Sequence, residues 1–207
     1  VLRFAAPWHT HGDLMAPRAS TPVMSVETPP VLTTLLTSAA IQQRVGELAQ
    51  EIRRDLPSPS TIHLVCVLKG AFIFLADLVR EMPGPVTLDL MAVSSYAKGT
   101  TTSGEVRLIK DLDFALEGRD VVIIEDIVDT GLTLTYLQDI LRARAPRTLR
   151  TACLLSKPSR RLVDVKVDYI GFAIEDYFVV GYGLDFAERY RNLPEIAILE
   201  RHDAETT

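Results

Sequence analysis

Hydrophobic positions along this chain follow two periods. Ile41, Val45, Leu48, Ala49 and Ile52 recur at helical spacing, with Gln, Arg and Glu on the opposite side. They predict an amphipathic helix over 38–56, stopped by Pro57 and Pro59. Short apolar runs at 62–68, 121–124, 149–155, 169–174 and 196–199 predict strands. Residues 86–93 alternate as a further strand, and 106–109 return as another after a polar stretch. Helices are predicted in between, from Ala71 to about Met82 and from Leu134 to near Arg144. The succession of strands and helices predicts an α/β fold, a mainly parallel twisted sheet flanked by helices.

The richest stretch is Val121-Val122-Ile123-Ile124-Glu125-Asp126-Ile127-Val128-Asp129-Thr130-Gly131-Leu132-Thr133. Four consecutive apolar residues predict a strand buried on both faces. Its polar end then falls at a strand's carboxyl end, where open α/β sheets bind ligands. Thr130, Gly131 and Thr133 can offer amides and hydroxyls to an anion at the start of a helix. Glu125, Asp126 and Asp129 would repel a bare phosphate. They fit a phosphorylated sugar, as acceptors for its hydroxyls, as help for Mg²⁺, or as proton carriers. A solvated acidic turn before an ordinary helix is the plainer alternative.

Composition narrows the class. The chain has 207 residues, 47% hydrophobic and 24% charged, which suits one domain with a sizeable core. Its net charge of -5, with no basic run, argues against nucleic acid as the main partner. An anionic substrate must therefore be met by a few local lysines, amides and a metal. Cys66 and Cys153 lie within apolar runs and read as buried thiols of a reducing, cytoplasmic protein. No apolar stretch approaches the ~20 residues of a membrane span. Residues 1–30 are rich in Pro, Ala, Ser and Thr and read as a mobile tail, leaving 31–202 as the domain. No apolar core follows a basic start there, which argues against a secretory signal. Met15 and Met24 leave room for a later translation start.

Other polar segments punctuate the strands. Lys69-Gly70 follows the strand at 62–68, where an ammonium and amides can hold an anion; a solvated strand end is the alternative. Residues 94–104 are small and polar, with Tyr96 the one large group, which suits a mobile loop able to cover a site. Lys157 closes the strand at 149–155. Arg160 and Arg161 belong to no motif and read as solvated. Asp176 to Asp185 carries aromatics and glycines able to approach a flat ligand, and Arg191 follows. His63 reads as a packed or edge histidine.

The central stretch resembles the phosphoribosyl pyrophosphate (PRPP) motif of type I phosphoribosyltransferases. Leu68-Lys69-Gly70, Ser95-Tyr96, 125–131 and 178–185 then match, in order, segments of the hypoxanthine-guanine phosphoribosyltransferase family. The resemblance runs from about Val31 to Glu200. It implies that family's fold, with a small hood and a flexible lid beginning at Ser95 and Tyr96. It also implies a non-proline cis peptide before Lys69. Carried over by position, Glu125 and Asp126 hold the ribose. Asp129, Thr130, Gly131, Leu132 and Thr133 enclose the 5′-phosphate. Lys69, Gly70 and Arg191 meet pyrophosphate. Lys157 hydrogen-bonds the purine O6, Phe178 stacks on the ring and the Val179 backbone meets its C2 group. Asp185 binds Mg²⁺, with Glu125 and Asp126 as further candidates, and Asp129 is the catalytic proton acceptor at N7.

The implied activity is transfer of a phosphoribosyl group from PRPP to hypoxanthine or guanine, by a homodimer or homotetramer. A lysine has only donors, so it suits a 6-oxo group and not adenine's amino group. Three alternatives compete: a PRPP enzyme for another base, a non-enzymatic PRPP sensor that binds nucleic acid, and a generic nucleotide-binding domain. Lys157 and the 178–185 segment speak against the first. The retained Lys69 and lid speak against the second. The four ordered motifs speak against the third.

Overall fold

The computed structural model describes residues 30–56, 60–98 and 101–200, with the backbone alone at 95–98 and 101–106. Of the tail expected over 1–30, only Pro30 is among them. Twelve named elements follow in chain order: β1 (Val31–Leu36), α1 (Ser38–Asp55), β2 (Ile62–Leu68), α2 (Phe72–Glu81), β3 (Val86–Lys98), β4 (Thr101–Lys110), β5 (Asp120–Val128), α3 (Leu132–Arg142), β6 (Thr148–Ser156), β7 (Tyr169–Ala173), β8 (Val179–Val180) and β9 (Ile196–Glu200).

The main sheet has the order β4-β3-β2-β5-β6-β7, parallel except for β4, which runs antiparallel to β3. From β2 the chain moves outward to β3 and β4, then returns to β2's other side with β5 and continues to β6 and β7. That reversal opens a crevice between the carboxyl ends of β2 and β5, the usual ligand position in such sheets.

Burial on both faces follows the strand alternation. Val122 and Ile124 join the core packed by α1 and α2, with Ile41, Leu48, Ile52, Phe74 and Leu78. Val121 and Ile123 join the opposite core, with Leu134, Leu137 and Leu141 of α3. All four strand residues are fully buried, as the unbroken apolar run requires. Helix α1 starts where Thr37 Oγ1 accepts from the Ala40 amide at 3.3 Å, and its buried face is the one predicted.

Two features depart from the sequence expectation. The stretch read as a loop over 94–104 is mostly a β-ribbon: β3 continues to Lys98 and β4 begins at Thr101, paired Ser94↔Arg107, Ser95↔Val106 and Lys98↔Thr101. Thr, Tyr and Val favour extended backbone, and cross-strand pairing outweighs the polar, small-residue composition. Ser95 and Tyr96 thus lie on β3, and their side chains are outside the described set. The second departure is a small antiparallel sheet, β1-β9-β8, of which only β9 was anticipated. No helix among the described residues is long and apolar enough to cross a membrane.

Candidate active site

The crevice is built from strand ends. Beyond Ile124, β5 turns polar, and Gly131 at φ 87° closes the loop as the residue before α3. Gly131 offers no side-chain cap, and Thr130 Oγ1 accepts from the Leu132 amide in a long hydrogen bond of 3.4 Å that an anion can displace. A β-carbon on Gly131 would meet Val165 Cγ1 at 2.9 Å, so both conformation and space require glycine. A cavity of ≈ 220 Å³ is lined by residues 125–131, Thr133 and Leu134. This brings the predicted ribose and phosphate residues together, with Leu132 opening the helix beside them.

The acids differ by environment. Glu125 is buried, and desolvation followed by repulsion from Asp126 pushes its carboxyl well above the usual range. Burial pushes Asp126 up to about 6, opposed by the Ile127 amide, which donates to its Oδ1 at 2.7 Å, and by the charge of Arg191. A buried acid and a partly buried one, both held towards neutrality, are a poor arrangement for stability. They are ready acceptors once hydroxyls or a cation arrive.

The neighbouring β2 end supplies the second wall. The Leu68–Lys69 peptide is cis. Gly70 packs on the Asp126 carboxylate so tightly that a β-carbon would lie 1.4 Å from Oδ2. Gly183 in turn packs on the Gly70 carbonyl, at φ 101°. Arg191 secures this segment by donating to the Gly183 carbonyl at 2.8 Å. It also pairs with Asp185 at 2.8 Å and Glu188 at 3.3 Å. Asp185 Oδ2 accepts the Glu188 amide at 2.8 Å. Glu188 then reaches Lys69 Nζ at 3.0 Å, so one carboxylate spans both cations expected to meet pyrophosphate.

The third wall is the end of β6. Lys157 donates its amide to the Val128 carbonyl at 3.0 Å, and only 7% of the residue is exposed. Its ammonium pairs with Asp176 at 3.3 Å. The lysine therefore stands beside the loop that follows β5. Phe178 is 42% exposed and meets Phe186 edge-on at 5.7 Å, while Val179 is buried in β8. The Asp176–Lys157 pair brings the segment just before Phe178 to the third wall.

Arg160 and Arg161 are not the solvated pair expected. Arg160 Nε donates to Asp129 Oδ1 at 3.0 Å and Nη1 donates to Asp176 Oδ2 at 3.2 Å. Arg161 donates to the Val128 and Asp129 carbonyls and, at 2.9 Å, to Ser156 Oγ. It ties the loop after β5 to the end of β6. The one-turn 3₁₀ helix at Pro158–Arg160 turns these arginines back over the loop. Lys-Pro-Ser-Arg-Arg straight after a buried strand was the available signal. Asp176 and Glu188 gave no comparable one, since each acts through partners distant in sequence.

His63 stays outside the site. It is buried, its Nδ1 lies 2.8 Å from Thr87 Oγ1, and desolvation holds its pKa below the usual value. Cys66 and Cys153 are free and buried, and burial pushes both thiols up to about 12, so they are inert.

Comparison with known proteins agrees with this geometry. The phosphoribosyl transferase domain model matches residues 32–187. The hypoxanthine-guanine phosphoribosyltransferase of Bacillus subtilis is 48% identical over 166 residues, covering 80% of this chain and 92% of that protein. The hypoxanthine phosphoribosyltransferase of Salmonella typhimurium is 47% identical over 163 residues, covering 78% of this chain and 92% of its own length. A crystal structure of a hypoxanthine-guanine phosphoribosyltransferase from Bacillus anthracis aligns with a TM-score of 0.77 at 46% identity, covering 81% of this chain and 98% of the other. With its crevice between β2 and β5 and a family match across most of its length, the chain belongs to the phosphoribosyl transferase domain family.

Proposed function

We infer that the chain is a purine salvage enzyme. It transfers the 5-phosphoribosyl group of PRPP to a 6-oxopurine, hypoxanthine or guanine, and releases pyrophosphate with IMP or GMP. The observation that carries this reading is the buried Lys157, whose ammonium is held by Asp176 and so linked through Arg160 to Asp129 of the loop after β5. A donor-only group beside a sugar-phosphate cradle suits a base with an acceptor at position 6.

The roles proposed are those the family resemblance implies, and the geometry is compatible with them. The amides from Thr130 to Thr133 receive the 5′-phosphate at the start of α3, where it takes over the weak Leu132–Thr130 hydrogen bond. Glu125 and Asp126 accept hydrogen bonds from the ribose hydroxyls. The purine nitrogen forms its bond to C1′ as the C1′–O bond to pyrophosphate breaks. Lys69 and Arg191 neutralise charge growing on the leaving group. Asp129 takes the proton released at N7, and Phe178 and Val179 contact the base. The β3–β4 ribbon with Ser95 and Tyr96 covers the pyrophosphate and excludes water, which would otherwise consume the electrophilic sugar.

Asp185 is suited to Mg²⁺. Among the described residues no group of three or more acids, histidines or cysteines could hold a metal alone. Magnesium accepts one or two carboxylates and completes its shell with substrate phosphates and water. The raised carboxyls of Glu125 and Asp126 are likewise eased by a nearby cation. When bound, the ion would help neutralise the pyrophosphate.

A homodimer or homotetramer in the cytoplasm completes the proposal; the two unpaired buried thiols suit a reducing compartment. The test is a base panel with PRPP and Mg²⁺, read as nucleotide formed. Hypoxanthine and guanine should react and adenine, uracil and orotate should not. Efficient turnover of a pyrimidine or of adenine, with hypoxanthine and guanine inert, rejects the assignment.

A further inference from the structure

Four side chains of alternating charge form a chain across one side of the crevice. Asp129 Oδ1 accepts from Arg160 Nε at 3.0 Å, and Arg160 Nη1 donates to Asp176 Oδ2 at 3.2 Å. Asp176 Oδ1 accepts from Lys157 Nζ at 3.3 Å. The two ends of this chain, Asp129 and Lys157, are the groups assigned to the purine's N7 and O6. Its two middle members, Arg160 and Asp176, have no role in the chemistry.

Physical differences between the members define what each can do. Lys157 is almost entirely buried, and Asp176 is the carboxylate that holds its ammonium among the described residues. The ammonium keeps donors for a ligand, but a four-carbon stem fixes their direction poorly without a partner. Arg160 is different: its planar guanidinium uses two nitrogens on two carboxylates, so it acts as a rigid spacer between them. The main chain reinforces the arrangement, since the Arg160 amide donates to the Lys157 carbonyl at 3.1 Å. Arg161 grips the Val128 and Asp129 carbonyls from the same turn.

A 6-oxopurine presents O6 and N7 side by side on one edge. Reading both together needs a donor and an acceptor at a set separation. We propose that the Asp176–Arg160 ion pair is that spacer: Asp176 and Arg160 are positioning residues that hold Lys157 and Asp129 in register with the O6/N7 edge of the base. The proposal rests on the base-contact roles given above to Lys157 and Asp129. Both spacer side chains are about half exposed, and exposed ion pairs contribute little to folding. Their loss should therefore register in base recognition and not in global stability.

Steady-state kinetics of the full-length protein separate the possibilities. The Michaelis constant for hypoxanthine is measured at saturating PRPP, and that for PRPP at saturating hypoxanthine, with a melting temperature for each protein. The variants are Lys157→Ala, Asp176→Asn, Arg160→Gln and the double variant Lys157→Ala/Asp176→Asn. Asp176→Asn and Arg160→Gln should each raise the hypoxanthine constant roughly 3- to 10-fold, leaving the PRPP constant within about twofold and melting nearly unchanged. Asp176→Asn should add less than about twofold to Lys157→Ala, because its effect passes through that lysine. If Lys157→Ala raises the hypoxanthine constant while the spacer variants match wild type, the spacer is refuted and the base-contact reading stands. If both constants rise together, or melting falls sharply, Asp176 and Arg160 serve general structure and the spacer is likewise refuted. If Lys157→Ala itself leaves hypoxanthine unaffected, the underlying reading fails first.

Discussion

Gly70 and Asp126 meet without room for a single carbon atom: a β-carbon on the glycine would lie 1.4 Å from the carboxylate oxygen. The contact joins the end of β2 to the end of β5 and so joins the wall proposed for pyrophosphate to the wall proposed for ribose. Gly70→Ala must displace one of them. Misplacing a binding group by about 1 Å can lower rate about 10²-fold. Gly70→Ala should therefore lower kcat/KM for PRPP by roughly that factor, measured by nucleotide formation. Wild-type PRPP kinetics in this variant would show that the two walls need not touch.

The partly buried Asp126 carries a conflict between stability and function. Asp126 is pushed up to about 6 in the folded protein, against about 3.9 unfolded. A raised carboxyl favours folding below its unfolded value, and that contribution is lost as pH rises through about 6. Asp126→Asn removes the charge yet keeps an oxygen for the Ile127 amide. Melting should rise by a few degrees at pH 8, with the gain vanishing near pH 4, while turnover falls at least about tenfold. Thermal scans at both pH values check this; a loss of stability at pH 8 contradicts it.

Asp120 shows the opposite sign, at the other end of β5. Arg147, Ser60 and Thr148 all donate to its carboxylate. The Arg147 hydrogen bond is the main reason its carboxyl is held far below the usual range. Its contribution is present above about pH 4 and is lost as pH falls through the depressed value. Asp120→Asn should lower melting by roughly 3–6 °C at pH 7, and the gap to wild type should begin to narrow only below about pH 4 and go on narrowing as pH falls further. A difference that stays constant from pH 7 to pH 3 would mean the hydrogen bonds matter and the charge does not.

Glu188 spans Lys69 and Arg191, the two cations assigned to pyrophosphate. An entering pyrophosphate must displace it. Glu188→Gln should bind inorganic pyrophosphate roughly threefold more tightly in calorimetry, because the displaced pairs are exposed and weak. Weaker binding would mean that Glu188 helps to hold the ligand, directly or through a cation.

The parts legible in the sequence are those governed by local chemistry. The buried run at 121–124 and the acids and small residues after it announce a strand, a loop and an anion site within one stretch. β1 is different: Leu and Thr alternate weakly along it, and its partner β9 lies more than a hundred residues away. The stretch at 94–104 is polar enough to read as a loop, yet strand pairing decides the backbone at 94–98 and 101–104. Arg160 and Arg161 look solvated until the carbonyls and carboxylates that receive them come into view. Charge alone cannot distinguish an arginine facing water from one facing a loop thirty residues earlier.

The most direct test is a crystal structure of the protein with IMP. The 5′-phosphate should sit on the amides of Thr130 to Thr133, and O6 should lie within about 3.2 Å of Lys157 Nζ. A phosphate bound away from α3, or a purine whose O6 faces solvent while Lys157 points elsewhere, would contradict the account.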